Sequence, residues 1–313
     1  MLIRLGTRQS ALALWQANHI SSCLQQLGHD VELVKITTAG DVSTTPLGQS
    51  GGQGVFTKEI QRALLDDRCD LAVHSLKDLP TDVVPGLTLA AVPAREDAAD
   101  CLISRGDLSL AELPVGATVG TGSPRRKAQL LHARPDLNII DIRGNVDTRL
   151  KKLDDGQYDA ILLAFAGLHR LGLASRISQK FDDHVLLPAV GQAALGLETR
   201  DSDPNTIAAI AALDHHDTHA SVLAERSLLR AMRAGCLAPL AAHAKTTPGE
   251  IKITARVFSI DGSQLVSTEN HVRFDAPPIV SELYRAAEQL GREAAQQLAA
   301  DGGADLIQQS RTA

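Results

Sequence analysis

The feature that most constrains this chain is a rhythm of alternating short apolar runs and helix-spaced segments, played through twice. "LIRLG" reads as a strand. "ALALWQANHISSCLQQLG" has helical spacing and stops at Gly28. "VELVKIT" is β-rich, "FTKEIQRALLDD" is helical, and "CDLAVHSL" and "GLTLAAVP" return to strand. A second cycle begins near Asp100. "CLISR" and "ATVGTG" are strands, and "SPRRKAQLLHARP" opens a helix with proline in its first turn. "LNIIDIRG", "NVDTRLKKLDDG" and "YDAILLAFAG" continue as strand, helix and buried strand. Such alternation predicts α/β lobes built on mostly parallel sheets. The seam falls at "PAREDAAD", residues 93 to 100. A second crossing is expected in "LLPAVGQAALGLETR", where "LGLETR" can add a strand back to the first lobe. Two crossings predict a hinged body with a cleft, and α/β ligand sites favour such places.

From about Asp214 the pattern changes. "THASVLAERSLLRAMRAG" is a strong helix with Thr218 as its expected N-cap. A loop around Cys236 follows, and then β-rich runs. "DG" inside "EIKITARVFSIDGSQLVSTENHV" signals a hairpin, and a last helix starts near Pro278. This third region reads as a small α+β domain. The expected division is residues 1–95 with 194–213, residues 96–193, and residues 214–313.

Composition narrows the classes. Hydrophobic residues make up 44% of the 313 and charged residues 22%, enough for real cores. Net charge is −6 and aromatics are 3%, which argues against a nucleic-acid grip, since that needs a basic field and stacking rings. No run approaches the roughly 18 apolar residues of a membrane span. The N-terminal "MLIRLGTRQSALALWQA" is interrupted by Arg4, Arg8 and Gln9, unlike a secretory signal. Cys23, Cys69, Cys101 and Cys236 lack metal-type spacing and suggest no disulfide framework, so a cytoplasmic chain with reduced thiols is expected.

Four segments place charge at strand-to-helix junctions. "LGTRQSALAL" puts Arg8 and Ser10 at a helix start, where free N–H groups attract anions; Ser10 reads equally as a plain N-cap. "GTGSPRRKAQL" puts Ser123, Arg125 and Arg126 after a glycine-rich turn. Two arginines there can engage two carboxylates or a phosphate, or form a solvated basic face. "DIRGNVDTRL" offers Arg143 and Arg149 to a ligand, or to surface pairs with Asp141 or Asp147. "AVHSLKDLP" runs an apolar strand into Lys77 and Asp78. That carboxylate suits stabilising a cation or passing a proton, unless it is a surface ion pair. Together they predict an arginine-lined site with one carboxylate, for a polycarboxylate ligand.

Other elements carry less. "GQSGGQGVFTKE" lacks the G-K-[ST] ending of a phosphate loop and reads as a mobile loop. His215, His216 and His219 in "DHHDTH" fit capping and solvation better than a metal site, and no metal is expected. Cys236 stands out in "RAMRAGCLAPLAAHA": a lone thiol on a loop between glycine and proline.

Several motifs in order resemble the porphobilinogen deaminase family, nearly end to end. They are "TRQSALALWQA", "GGQGVFTKEI", "DLAVHSLKDLP", "GTGSPRRKAQL", "IRGNVDTRL", "LAFAGLHRLGL", "LPAVGQAALGLE" and "AERSLLRAMRAGCLAPLAAHA". The resemblance implies two periplasmic-binding-protein-like lobes and a third domain bearing a cofactor loop. It implies one dipyrromethane per chain, joined to Cys236 by a thioether. Four porphobilinogen molecules would be added head to tail to this primer, each losing ammonia, before hydrolysis releases hydroxymethylbilane. Asp78 matches the family's catalytic aspartate. Lys77, Ser123, Arg125 and Arg126 would hold cofactor carboxylates. Arg8, Ser10, Arg143, Arg149, Arg170 and Gln192 would serve the substrate or growing chain. A monomer is also implied.

The chain departs from the family pattern in four places. Gln53 stands where lysine is common in "GGKG", and "RAGC" replaces "GGC". "LAAHA" stands where "IGAHA"-like text is common, and "GQAA" replaces "GQGA". Alanine for glycine restricts the backbone, so a stiffer hinge is expected. The rival class is a non-catalytic two-lobed polycarboxylate-binding protein. The third region with its cysteine loop argues against it.

Overall fold

A computed structural model describes residues 1–38, 54, 57–235 and 238–311. The chain forms two compact units, Met1–Glu96 with Ala193–His219, and Asp97–Gln192 with Ala220–Ala313.

In chain order the first unit opens with β1 (Leu2–Thr7), α1 (Ala11–Gln26), β2 (Asp30–Lys35), α2 (Lys58–Leu65), β3 (Leu71–Ser75) and β4 (Leu87–Ala91). The second unit follows with β5 (Asp100–Ser104), β6 (Thr118–Gly120), α3 (Pro124–Ala133), β7 (Asn138–Ile140), α4 (Val146–Asp154), β8 (Ala160–Ala164), α5 (Phe165–Arg170) and β9 (Gln179–Lys180). The chain then returns to the first unit for β10 (Leu195–Arg200) and α6 (Pro204–Ile210). It continues with α7 (His216–Ala231), β11 (Leu240–Thr247), β12 (Glu250–Phe258), β13 (Leu265–Arg273), α8 (Val280–Ala300) and α9 (Gly303–Ser310).

The two large sheets share one topology. Their strand orders are β2-β1-β3-β10-β4 and β7-β6-β8-β5-β9. Each is mostly parallel, and each takes one antiparallel strand at the fourth position. In both sheets that inserted strand is the first one made after the chain crosses between units: β5 on the way out, β10 on the way back. "LGLETR" therefore rejoins the first lobe, as its pattern predicts.

Why these runs are strands is visible in their burial. Leu71 and Val73 of β3 pack with Ile3, Ile20 and Leu24, while Ala72 between them packs with Ile60 and Leu64 of α2. In β8, Leu162 joins one core while Ile161 and Leu163 join the other. Both faces are covered, so the strands read as continuous apolar runs. The three strands β11-β12-β13 form an antiparallel sheet, and α7, α8 and α9 pack on it through Leu228, Leu290, Leu298 and Leu306. The "DG" hairpin joins β12 to β13, with Gly262 at φ 73°. Its turn sits against α3: a Cβ on Gly262 would lie 2.5 Å from the Ala128 carbonyl oxygen. The α/β class, the paired lobes and the α+β C-terminal portion are all present.

The start of α7 departs from expectation. The helix begins at His216, so Thr218 lies inside its first turn. The capping acceptor is His215, whose Nδ1 accepts from the Thr218 backbone N–H at 3.2 Å. A ring nitrogen does there what a Ser or Thr oxygen usually does. The neighbouring Asp214 accepts from the Val92 N–H at 2.8 Å and pairs with His219 Nδ1 at 2.8 Å and His216 Nδ1 at 3.2 Å. The histidines of "DHHDTH" thus close a helix start, in keeping with the capping reading. Among the described residues no group of three or more His, Cys, Asp or Glu is placed to hold a metal.

Candidate functional site

In the first unit, β1 delivers Arg8 and Ser10 to the start of α1. Ser10 has extended backbone, and its Oγ accepts from the Ala13 N–H at 3.3 Å, so it is an N-cap. At the end of β3 the chain makes a single 3-10 turn, Leu76–Asp78. Leu76 is buried and its N–H donates to the Ala194 carbonyl at 3.0 Å, which leaves Lys77 and Asp78 exposed. Asp78 is therefore not desolvated by its strand; its environment is set by what borders it. These residues edge a depression of about 110 Å³, with Gln16, His74 and Ser75 also in its lining.

Behind this lining lies a layer of hydrogen bonds that no sequence motif marks. Gln16 Nε2 donates to Ser75 Oγ at 2.8 Å. His74 Nε2 meets Glu198 Oε2 at 3.0 Å, and Gln61 Nε2 donates to Glu198 Oε1 at 2.9 Å, all buried. The available signal was Glu198 itself, a charge inside the otherwise apolar "ALGLE" run; buried carboxylates demand partners.

In the second unit, Ser123 caps α3, its Oγ accepting from the Arg126 N–H at 3.5 Å, with Pro124 in the first turn. The turn before it is close-packed: a Cβ on Gly122 would lie 3.2 Å from the Ile142 carbonyl oxygen and would push the Asp141 carboxylate aside. Arg125 and Arg126 are only 4% and 6% exposed, which rules out a solvated basic face. Both converge on Asp100, a fully buried carboxylate at the start of β5. Arg125 Nη1 lies 2.7 Å from Asp100 Oδ2 and donates to the Leu187 carbonyl at 2.6 Å. Arg126 donates to Asp100 Oδ1 through Nη2 at 2.6 Å and Nε at 3.1 Å, and to the Leu162 carbonyl through Nη1 at 3.0 Å. Gln192, also fully buried, adds Nε2 to Asp100 Oδ1 at 2.9 Å and to the Ala98 carbonyl at 2.7 Å.

Burial opposes charge on Asp100, but Arg125 and then Arg126 outweigh it and hold the carboxyl well below its ordinary range. Burial also lowers Arg125, which stays protonated because a guanidinium starts so high. The cluster therefore holds two cations and one anion. Arg125 Nε is buried with no hydrogen-bond partner. A surplus positive charge with donor capacity left over fits an anionic group, and the carboxylates of a dipyrromethane are such groups.

The remaining predicted residues are placed singly. Arg143 Nε donates to Asp141 Oδ2 at 2.8 Å, and Arg149 Nε donates to the Gly144 carbonyl at 2.7 Å. Arg170, half-buried, is the last residue of α5. Cys236 and Gln53 lie outside the described residues. Ala193 and Ala234, both at glycine positions of the family pattern, differ. Ala193 sits at φ 70°, where an L-residue is strained, whereas Ala234 is not among the positive-φ residues.

Residues 3–208 match the family model "Porphobilinogen deaminase, dipyromethane cofactor binding domain", and residues 219–300 match "Porphobilinogen deaminase, C-terminal domain". The chain belongs to the porphobilinogen deaminase family. A porphobilinogen deaminase of Pelobacter propionicus is 45% identical over 310 residues, covering 98% of this chain and 96% of that one. One from Syntrophotalea carbinolica is 49% identical over 267 residues, covering 84% and 85%. Among solved structures, the VFT2 domain of Bordetella pertussis BvgS is 15% identical with a TM-score of 0.42, over 67% of this chain and 85% of that one. Family membership makes the chain a transferase of tetrapyrrole biosynthesis with dipyrromethane as its cofactor. It offers nothing for a non-catalytic binding protein.

Proposed function

We propose that Asp78, with Arg8 and Lys77 beside it, is where the incoming porphobilinogen reacts, and that Ser123, Arg125 and Arg126 serve cofactor carboxylates alongside Lys77. Cys236 is the thioether anchor. The observation that carries the reading is the lining of the depression: Asp78 is its one carboxylate among the described lining residues, bordered by two cations. The substrate's acetate and propionate call for those cations, and its reacting end calls for the carboxylate.

The chain's part in the chemistry follows. Arg8 and Lys77 neutralise the side arms and fix the ring. As the methylene C–N bond of the protonated aminomethyl arm breaks, its electron pair leaves with ammonia and the positive charge passes to the ring and its methylene. Asp78 stabilises that charge and accepts a hydrogen bond from the pyrrole N–H. When bound, the dipyrromethane supplies the ring carbon to which the new methylene is joined. Asp78 would take up the proton that this carbon gives up. Arg143, Arg149 and Arg170 serve the later units of the growing chain through charge and Ser10 through its hydroxyl, whereas Gln192, with no exposed surface and its amide on Asp100 and the Ala98 carbonyl, acts by holding Asp100.

Three domains, residues 1–95 with 194–213, 96–193 and 214–313, suit this division, since each holds one sheet. We also infer a cytoplasmic monomer. No helix of the described residues is long and apolar enough to cross a membrane. Light scattering coupled to size exclusion tests the monomer.

Intact mass under denaturing conditions tests the core of the reading. Wild type should carry an excess equal to two condensed pyrrole units, and Cys236→Ser should lack it. A Cys236→Ser chain that keeps the adduct would place the anchor elsewhere.

A further inference from the structure

Arg125 and Arg126 are adjacent in sequence but differ in their surroundings. Arg126 uses all three guanidinium nitrogens inside the protein, two on Asp100 and one on the Leu162 carbonyl. Arg125 shares Asp100 through Nη1 alone and has a buried Nε without a partner. Gln192 and the Leu187 carbonyl complete the ring of contacts. Asp100 is completely buried; its Oδ1 accepts from Arg126 and Gln192, while its Oδ2 has no hydrogen-bond donor and faces Arg125 Nη1 only as an ion pair at 2.7 Å.

We propose that Asp100 is a positioning residue for cofactor loading: it ties Arg126 down as a strut and presents Arg125 as the guanidinium that takes a dipyrromethane carboxylate. The inference rests on the assignment of these arginines to the cofactor. It adds the residue that orders them and gives the two different tasks. The charge balance supports it. One carboxylate between two guanidiniums leaves one unit of positive charge buried, which is costly until an anion arrives. Without Asp100 two unpaired guanidiniums would repel each other and lose their shared orientation. With a second carboxylate beside Asp100 no surplus charge would remain for a ligand. Gln192 fits the same account, because an amide holds Asp100 in place without neutralising the cluster.

The test uses Asp100→Asn, Asp100→Glu and Arg125→Gln, each purified alongside wild type. The readouts are the fraction of folded chain carrying the two-pyrrole adduct, by denaturing intact mass, and the rate at which adduct appears on incubation with porphobilinogen. Circular dichroism on the same samples reports folding. Asp100→Asn keeps the shape and removes the charge. It should fold, yet load at least about tenfold more slowly, the size expected for one lost charge-assisted contact. Asp100→Glu keeps the charge on a longer arm and should recover part of that loss. A merely structural Asp100 would instead lower thermal stability and leave adduct per folded chain unchanged, and that result overturns the proposal. So does normal loading of Asp100→Asn when Arg125→Gln fails to load. If Arg125→Gln also loads normally, the assignment of the arginines to the cofactor is what falls. Should Asp100→Asn not fold, Asp100→Glu decides on the same readout: adduct formation at the wild-type rate overturns the proposal.

Discussion

Glu225 offers the sharpest test of how the second unit is held together. It lies in the middle of α7 with no exposed surface. Its Oε2 accepts the Gly191 N–H at 2.7 Å, and its Oε1 accepts the Ala244 N–H at 2.9 Å. One carboxyl group thus ties the helix leading toward Cys236 both to β11 and to the segment that presents Gln192. Glu225→Ala orphans two buried N–H groups. Each such donor costs about 1–3 kcal/mol, so the loss should be about 2–6 kcal/mol. Glu225→Gln keeps one acceptor oxygen but turns an NH₂ toward the other N–H, and should cost about half as much. A two-unit chain need not unfold in one step, so the assay should be local as well as global. Hydrogen exchange at Gly191 and Ala244 reports the local free energy, and urea denaturation followed by circular dichroism reports the whole. Both amides should lose protection in the alanine variant, with β13 and α9 much less affected. An alanine variant within about 0.5 kcal/mol of wild type, or unchanged protection at both amides, would refute the account.

Three further outcomes follow from the same structure. Asp78→Asn should lower kcat by about 10²–10³-fold with a smaller change in KM, because the charge matters most as ammonia leaves; single-turnover kinetics check this. Ala193→Gly should stabilise the protein by about 1 kcal/mol, since φ 70° costs an alanine what it does not cost a glycine; denaturant midpoints read the gain. Burial pushes the Asp70 carboxyl up, but hydrogen bonds from Arg4 and Arg200 override it and bring it down to about 2, against an ordinary 3.8. A depressed carboxylate stabilises the fold above its unfolded value, and that stability disappears as pH falls from 3.8 through about 2. Solvent reaches Arg4, which is 34% exposed, so the contribution is about 1–2 kcal/mol. Asp70→Asn should flatten the acid limb of the stability curve in that window.

What was legible in the sequence was whatever depends on local period and local chemistry. Strands such as "AILLA" and helices such as "PRRKAQLLHA" declare themselves because side-chain spacing decides which face is apolar. Ser10 and Ser123 declare themselves as caps because the donor they satisfy is three residues away. The ordered motifs singled out Asp78 and the arginines as site candidates, and "LGLETR" announced its return to the first sheet. Three things were left to tertiary structure. For Arg125 and Arg126 the sequence left a ligand-binding pair and a solvated basic face both open, because charge type alone does not say what a side chain meets. They are buried because Asp100, 25 and 26 positions away, shares their charge. His74 and Glu198 are 124 positions apart and meet only because β10 lies beside β3. Thr218 lost the expected cap to His215, whose ring nitrogen takes the N–H instead. A sequence specifies which groups must find partners. Which partner each one finds is decided by strand order and packing, where the cost of an unpaired buried charge selects among arrangements that local pattern leaves equal.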